Sequence, residues 1–319
     1  MSGTMECWKM GILLWVLCVA GCGRPLPPES AAAEEKAVVR VSGAAALEEV
    51  RRFVELGPKE PGTAGGARAA EYLAGRLREA GVEAQIQEFQ EASPAGVLTF
   101  RNVLGRIPGS GEMCVLLAAH YDTKVGIEGF EGANDSGSGT GLLIELARVL
   151  KQNGPHELEI RFAFFDGEEC RVEYGPEDGF HGSRYLAKTM AEDGRLSNVA
   201  GMILLDMVGD KDLTVTIPRN GMPELMALAF EAARAEGIRH QFQLAPFTIG
   251  DDHEAFLARG VPAVDLIDFQ YGSAPGKNDY WHTAEDAMDK VSAESLEKVG
   301  RVATRMVEAL VEREAAAKK

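Results

Sequence analysis

Positive charge is what this sequence is short of: 33 lysines and arginines stand against 49 aspartates and glutamates, for a formal net charge of -16. Phosphate binding needs a basic face, so a nucleic-acid partner is excluded. Long apolar runs are scarce too, and the stretch Met10 to Ala20 is too short for a comfortable membrane span. Cysteine is sparse. Of five, Cys7, Cys18 and Cys22 fall near the N-terminus, leaving only Cys114 and Cys170. One lies inside a predicted strand and the other just beyond a different strand, with no matched ends for a bridge, so both are expected to be free. No internal repeat is present. At 45% hydrophobic and 26% charged residues over 319 positions, the chain has the composition of an ordinary globular protein with a sizeable core.

The N-terminus is a different material from the rest. Lys9 precedes the apolar stretch, which has the length of a secretory h-region. It ends in Val19-Ala20-Gly21-Cys22, similar to the lipobox of bacterial lipoproteins, in which the cysteine is lipidated. The expectation is an exported domain anchored to the cell envelope through a lipid on Cys22; a signal cut nearby without lipid and a short membrane anchor are the alternatives. Residues 1–21 then form the lipoprotein signal peptide. Residues 22–37, with Pro25, Pro27 and Pro28, form a flexible tether, and residues 38–319 form a single domain.

Within that domain apolar spacing predicts helices over Ala44 to Leu56, Ala67 to Ala80, Gly141 to Leu150, His181 to Met190, Pro223 to Glu236, Asp252 to Arg259 and Ser292 to Glu314. Strands are predicted over Val82 to Phe89, Val97 to Ile107, Met113 to Ala119, Glu159 to Phe165, Val199 to Leu205 and Val261 to Ile267. Their alternation implies an α/β fold, a three-layer sandwich with a mostly parallel or mixed central sheet flanked by helices. In such sheets function gathers at the carboxyl ends of the strands.

Candidate residues sit there. Apolar strands lead into His120, into Glu168-Glu169 and into Asp206, while loops add Asp135 and His282. Two imidazoles and several carboxylates are a donor set that zinc accepts when it keeps an open position for chemistry. Neighbouring residues at a strand end point to opposite sides, so Glu168 and Glu169 take different jobs, one binding metal and the other facing the reacting group. Asp122 shares a face with His120 in extended chain and orients the imidazole as a hydrogen-bond acceptor, or it caps a turn.

His120-Tyr121-Asp122-Thr123, Gly132-Ala133-Asn134-Asp135, Phe165-Asp166-Gly167-Glu168-Glu169, Leu205-Asp206-Met207 and His282-Thr283 together resemble the M28 zinc metallopeptidase family. The resemblance implies a zinc exopeptidase-like fold with Asp135 bridging two metals, His120 and Asp206 on one, Glu169 and His282 on the other, and Glu168 as general base. One branch resembles the chain more closely. The glutaminyl-peptide cyclotransferases are similar in Gly182-Ser183-Arg184-Tyr185-Leu186-Ala187, in the run from Gly250-Asp251-Asp252-His253 to Gly260-Val261-Pro262, and in Trp281 before His282. That branch implies one zinc on Asp135, Glu169 and His282, an acid network of Glu168, Asp206 and Asp251, and a pocket lined by Trp281 and Tyr174. Tyr174 replaces a tryptophan of the animal enzymes, Asp265 a histidine, and Ala119 and Thr140 a cysteine pair. Trp281 as core and Asp251 as a helix N-cap are the structural alternatives.

Peptide or protein N-termini are therefore the expected substrates. The expected reaction is cyclisation of N-terminal glutamine with one zinc; the alternatives are a two-zinc aminopeptidase and a non-catalytic binding module.

Overall fold

The computed structural model describes residues 38–317, so the predicted leader and tether lie outside the described residues. Among the described residues no helix is long and apolar enough to cross a membrane.

Two capped helices open the fold. α1 (Gly43–Val54) starts at Ser42, whose hydroxyl accepts the N–H of Ala45, and α2 (Ala64–Glu79) at Thr63, whose hydroxyl accepts the N–H of Gly66. Each cap satisfies an amide that has no intrahelical partner. The remaining elements are β1 (Glu83–Ser93), β2 (Gly96–Ile107), β3 (Cys114–His120), α3 (Gly137–Asn153), β4 (Glu159–Phe165), α4 (His181–Glu192), β5 (Val199–Asp206), β6 (Val215–Ile217), α5 (Pro223–Ala235), β7 (Phe242–Leu244), α6 (His253–Leu257), β8 (Ala263–Ile267) and α7 (Ala293–Ala317).

Six strands form one sheet in the order β1-β2-β4-β3-β5-β8. β1, β2 and β4 pair antiparallel, whereas β4, β3, β5 and β8 run parallel, so the sheet is mixed. Alternation along each strand sorts the core into two layers. Val115, Leu117 and Ala119 of β3, with Ile203 and Leu205 of β5, join the cluster that includes α1, α2, α3, α5 and α7. Cys114, Leu116 and Ala118, with Met202, Leu204 and Ala263, pack with α4 and α6. His120 and Asp206 continue this second row at the carboxyl edge, and Asp265 lies two residues beyond Ala263 on the same face.

The structure differs from expectation mainly at glycines and short pieces. α3 begins at Gly137 rather than Gly141, because the glycines there serve close approach instead of a loop. A Cβ at Gly139 would lie 2.2 Å from the carbonyl oxygen of Leu205, and one at Gly141 would lie 2.8 Å from the backbone nitrogen of Val50. The parallel pair β6 and β7 was not expected, since three residues carry no readable period. α6 is shorter than predicted and ends at Leu257. Cys114 and Cys170 are free and buried.

Because the start of α3 presses on the end of β5, Gly139→Ala should lower the unfolding free energy by about 1–3 kcal/mol, the usual cost of overpacking. A urea midpoint unchanged from the parent protein would show that the helix can move aside.

Candidate metal centre and pocket

The acidic turn after β4 is held by another acid. β4 stops at Phe165, so Glu169 is not a strand terminus as expected but sits four residues on, in a bend. Gly167 takes φ +73°, and a Cβ there would lie 2.5 Å from the Phe100 ring, so only glycine makes this turn without strain. The Asp122 carboxylate accepts the N–H groups of Glu168 and Glu169, each at 3.1 Å. Asp122 Oδ1 also lies 3.6 Å from His120 Nδ1, on the side from which it was expected to orient the ring, so one carboxylate faces both the acidic turn and the imidazole.

Those two amides aim the glutamates apart. Glu169 Oε1 lies 3.0 Å from His282 Nε2, while Glu168 turns toward His120, its Oε2 3.8 Å from Nδ1. Asp135 stands between the two histidines, with Oδ1 3.1 Å from His120 Nε2 and Oδ2 3.4 Å from His282 Nε2. Asp206 Oδ1 is 3.4 Å from His120 Nε2. Two ligand groups result, His120–Asp135–Asp206 and Asp135–Glu169–His282, each with its donor atoms within 4.8 Å of one another and with Asp135 in common. Asp135 Oδ2 and Asp206 Oδ1 are buried without hydrogen-bond partners, which a metal ion would supply.

Several residues that sequence reasoning missed hold this arrangement. Asp286 accepts the N–H of Asn134 at 2.8 Å and of Asp135 at 3.0 Å, and its Oδ1 accepts the Tyr271 hydroxyl at 2.8 Å. Lys59 is fully buried; burial lowers its pKa to about 8, against the opposing charge of Asp286. Lys124 Nζ lies 3.3 Å from Glu169 Oε2 and donates to the carbonyl of Cys170 at 2.7 Å. Tyr174 also donates to Glu169 Oε2, at 3.3 Å. The only sequence signal for Asp286 is its position four residues after His282, and for Lys124 its nearness to the His120-Tyr121-Asp122 run. Met207 and His282 take φ of 45° and 55°, a strained backbone that the surrounding contacts must enforce.

Beside the metal-type groups lies a cavity of about 260 Å³, lined by Asp135, Glu168, Asp206, Asp251, Met207, Phe269 and Trp281 among others. Trp281 lines the cavity, stacking on His282 with ring centroids 4.0 Å apart and tilting against Phe269 at 5.2 Å, and its half-buried ring also packs against the cluster of Met207, Ile267 and Tyr271. Tyr174 lines the same cavity and stacks on Phe180 at 4.7 Å. Asp251 makes no helix cap: the N-cap of α6 is Asp252, and the Asp251 side chain accepts the adjacent N–H of Asp252, at 2.5 Å, and pairs with the Asp265 carboxyl. Burial first, then the charges of Glu169, Asp251 and Asp252, push the Glu168 carboxyl well above the usual range, against the pull of His120. Asp206 is raised by burial as well, and Asp135, against burial, is held low by its attraction to the two histidines.

Comparison with known proteins matches this geometry to one family. The sequence profile of Peptidase family M28 matches residues 102–307, which contain every residue of both ligand groups. A glutaminyl-peptide cyclotransferase of Drosophila melanogaster is 30% identical over 256 residues, covering 72% of this chain and 70% of that protein. The solved glutaminyl cyclase of an Acidobacteriales bacterium superposes with a TM-score of 0.82 at 34% identity, over 88% of this chain and 99% of that one. A Zn-dependent exopeptidase from Parabacteroides distasonis superposes with a TM-score of 0.75 at 28% identity, over 86% of this chain and 99% of that one. The chain thus belongs to peptidase family M28, in the branch of the glutaminyl-peptide cyclotransferases.

Proposed function

We propose that the protein is a zinc-dependent glutaminyl-peptide cyclotransferase, converting N-terminal glutamine of peptides or proteins to pyroglutamate with release of ammonia. The observation that carries this reading is the cavity, in which Trp281, stacked on His282, lines a side-chain-sized space together with Asp135 and His282 of the ligand group. The solved glutaminyl cyclases with the same fold support it.

Asp135, Glu169 and His282 would hold the zinc, a mixed oxygen and nitrogen set that suits it. When bound, zinc supplies a Lewis acid for the γ-carbonyl of the substrate glutamine. Glu168 takes a proton from the α-amine, which attacks the side-chain carbon, and returns it to the departing ammonia. Lys124 and Tyr174 occupy Oε2 of Glu169, leaving Oε1, the oxygen nearest His282, for the metal. The acid-lined face of the cavity favours a cationic amine over an anionic end.

One observation favours a second reading. His120, Asp135 and Asp206 could hold a second ion, which is the requirement of a two-zinc aminopeptidase. Without that ion, His120 keeps a proton: burial opposes it, but hydrogen bonding to the surrounding carboxylates prevails, and the imidazolium then supplies the positive charge. For the residues outside the described structure we propose lipidation of Cys22 and an extracytoplasmic domain, supported by the sequence alone.

Glu168→Gln should keep its zinc and lose about 100-fold or more in turnover, within the usual range for general acid–base groups, whereas Glu169→Ala should lose metal by elemental analysis; near-normal turnover in the first or full zinc in the second would remove these roles. Incubated with a Gln-initiated and a Leu-initiated peptide, the enzyme should release ammonia from the first and leave the second intact by mass spectrometry. Release of leucine together with two zinc ions per chain would establish the aminopeptidase instead. In a bacterial host, Cys22→Ser should move the protein from the membrane to the soluble fraction, and an unchanged distribution would remove the lipid anchor.

A further inference from the structure

A row of aromatic rings leads out of the cavity. Trp281 stacks on His282 at 4.0 Å, Phe269 follows Trp281 at 5.2 Å, and Phe247 meets Phe269 edge-on at 6.3 Å. The row begins at a residue of the ligand group and ends at solvent, where Phe247 is 46% exposed. Tyr174 is exposed as well, and both it and Phe247 line the cavity. Large exposed apolar side chains are few among the described residues, and two of them meet at this opening, where an apolar group of a ligand would cover them.

Phe247 is held in this place by its backbone. It lies in the loop between β7 and α6, and the neighbouring pair Arg219 and Asn220 grips that loop along its length. The Arg219 N–H donates to the carbonyl of Phe247 at 3.1 Å, and the Arg219 guanidinium donates to the carbonyl of Pro246 at 3.3 Å. The Asn220 side-chain amide donates to the carbonyl of Ile249 at 2.8 Å and accepts the N–H of Ile249 at 3.4 Å. These bonds fix the main chain on both sides of Phe247 while its ring stays open to solvent. A ring presented on a fixed loop loses little freedom when a ligand covers it, so the contact is preorganised.

We propose that Phe247 is a specificity-determining residue, which receives an aromatic or bulky apolar side chain at the position after the N-terminal glutamine. The inference rests on the cyclotransferase reading and deepens it by naming the peptides that are preferred. With the glutamine side chain directed at the Asp135–Glu169–His282 group, the peptide leaves toward the opening and advances about 3.5 Å per residue. The second side chain is then the first to pass Trp281 and reach the outer end of the row. Aromatic rings favour edge-on and offset pairing there, the geometry that Phe247 and Phe269 already adopt. A glycine at that position offers no side chain to pair. An aspartate or glutamate brings negative charge toward a cavity lined by Asp135, Glu168, Asp206 and Asp251.

The test measures ammonia release by the zinc-loaded full chain from Gln-Phe-amide and Gln-Gly-amide. For the parent, kcat/KM should be about 5-fold higher with Gln-Phe-amide, the worth of one aromatic contact. Phe247→Ala should abolish most of that preference, chiefly by raising KM for Gln-Phe-amide, and Phe247→Leu should keep part of it. A merely structural role would lower both peptides together and leave their ratio alone. A parent ratio near one, or a Phe247→Ala ratio equal to the parent's, would overturn the proposal. Ammonia from neither peptide defeats the cyclase reading and the subsite with it, whereas ammonia from both at equal rates defeats the subsite alone. Should the variants not fold, the parent crystallised with pyroglutamyl-phenylalanine amide decides: its ring should lie against Phe247, and a ring placed elsewhere overturns the assignment.

Discussion

Asp122 accepting two consecutive backbone amides is the interaction on which the rest of the centre depends. Asp135, Glu168 and Glu169 are buried and crowd together with the partly buried Asp206, and like charges there repel strongly. Their positions are fixed by contacts that leave the working oxygens free. Asp122 grips the backbone of Glu168 and Glu169, and Asp286 grips the backbone of Asn134 and Asp135. Acids outside the metal groups therefore position the acids within them, through main-chain N–H groups. Where a side-chain oxygen is engaged, as when Lys124 and Tyr174 take Oε2 of Glu169, its partner Oε1 remains toward His282.

Much of this was legible in the sequence, for identifiable reasons. His120 and Asp206 were readable because buried parallel strands are continuous apolar runs, so the first polar residue after each marks the carboxyl edge of the sheet. β4 was bounded correctly, but the path after Phe165 was not readable, since the bend carrying Glu168 and Glu169 is set by Asp122 from another strand end. Asp286 and Lys124 act through partners far away in sequence, and no local period reports them. The start of α3 was misread because glycine weakens a helix on its own, whereas here Gly139 and Gly141 admit β5 and α1 at distances that no side chain permits.

The division of the sheet into two faces also divides the labour. The larger cluster, built on α1, α2, α3, α5 and α7, is the dry support. The row that packs with α4 and α6 runs out at the carboxyl edge into His120 and Asp206, so the side chains that carry chemistry extend the smaller core layer. Hydrolysis and cyclisation differ little in what they ask of this edge. In the two proposed readings His120 is the residue on which they part, a second metal ligand in one and a charged hydrogen-bond donor in the other.

The ligands come from segments scattered between His120 and His282, and they meet only when β3, β5 and the loops around them are all in place. An ion held by such a set binds the native chain and not the unfolded one. Its affinity is therefore part of the folding free energy: at a free concentration of about 100 times the dissociation constant, linkage adds about 2.7 kcal/mol to stability. Under the proposed zinc site, metal supply would therefore also set part of the protein's thermal endurance.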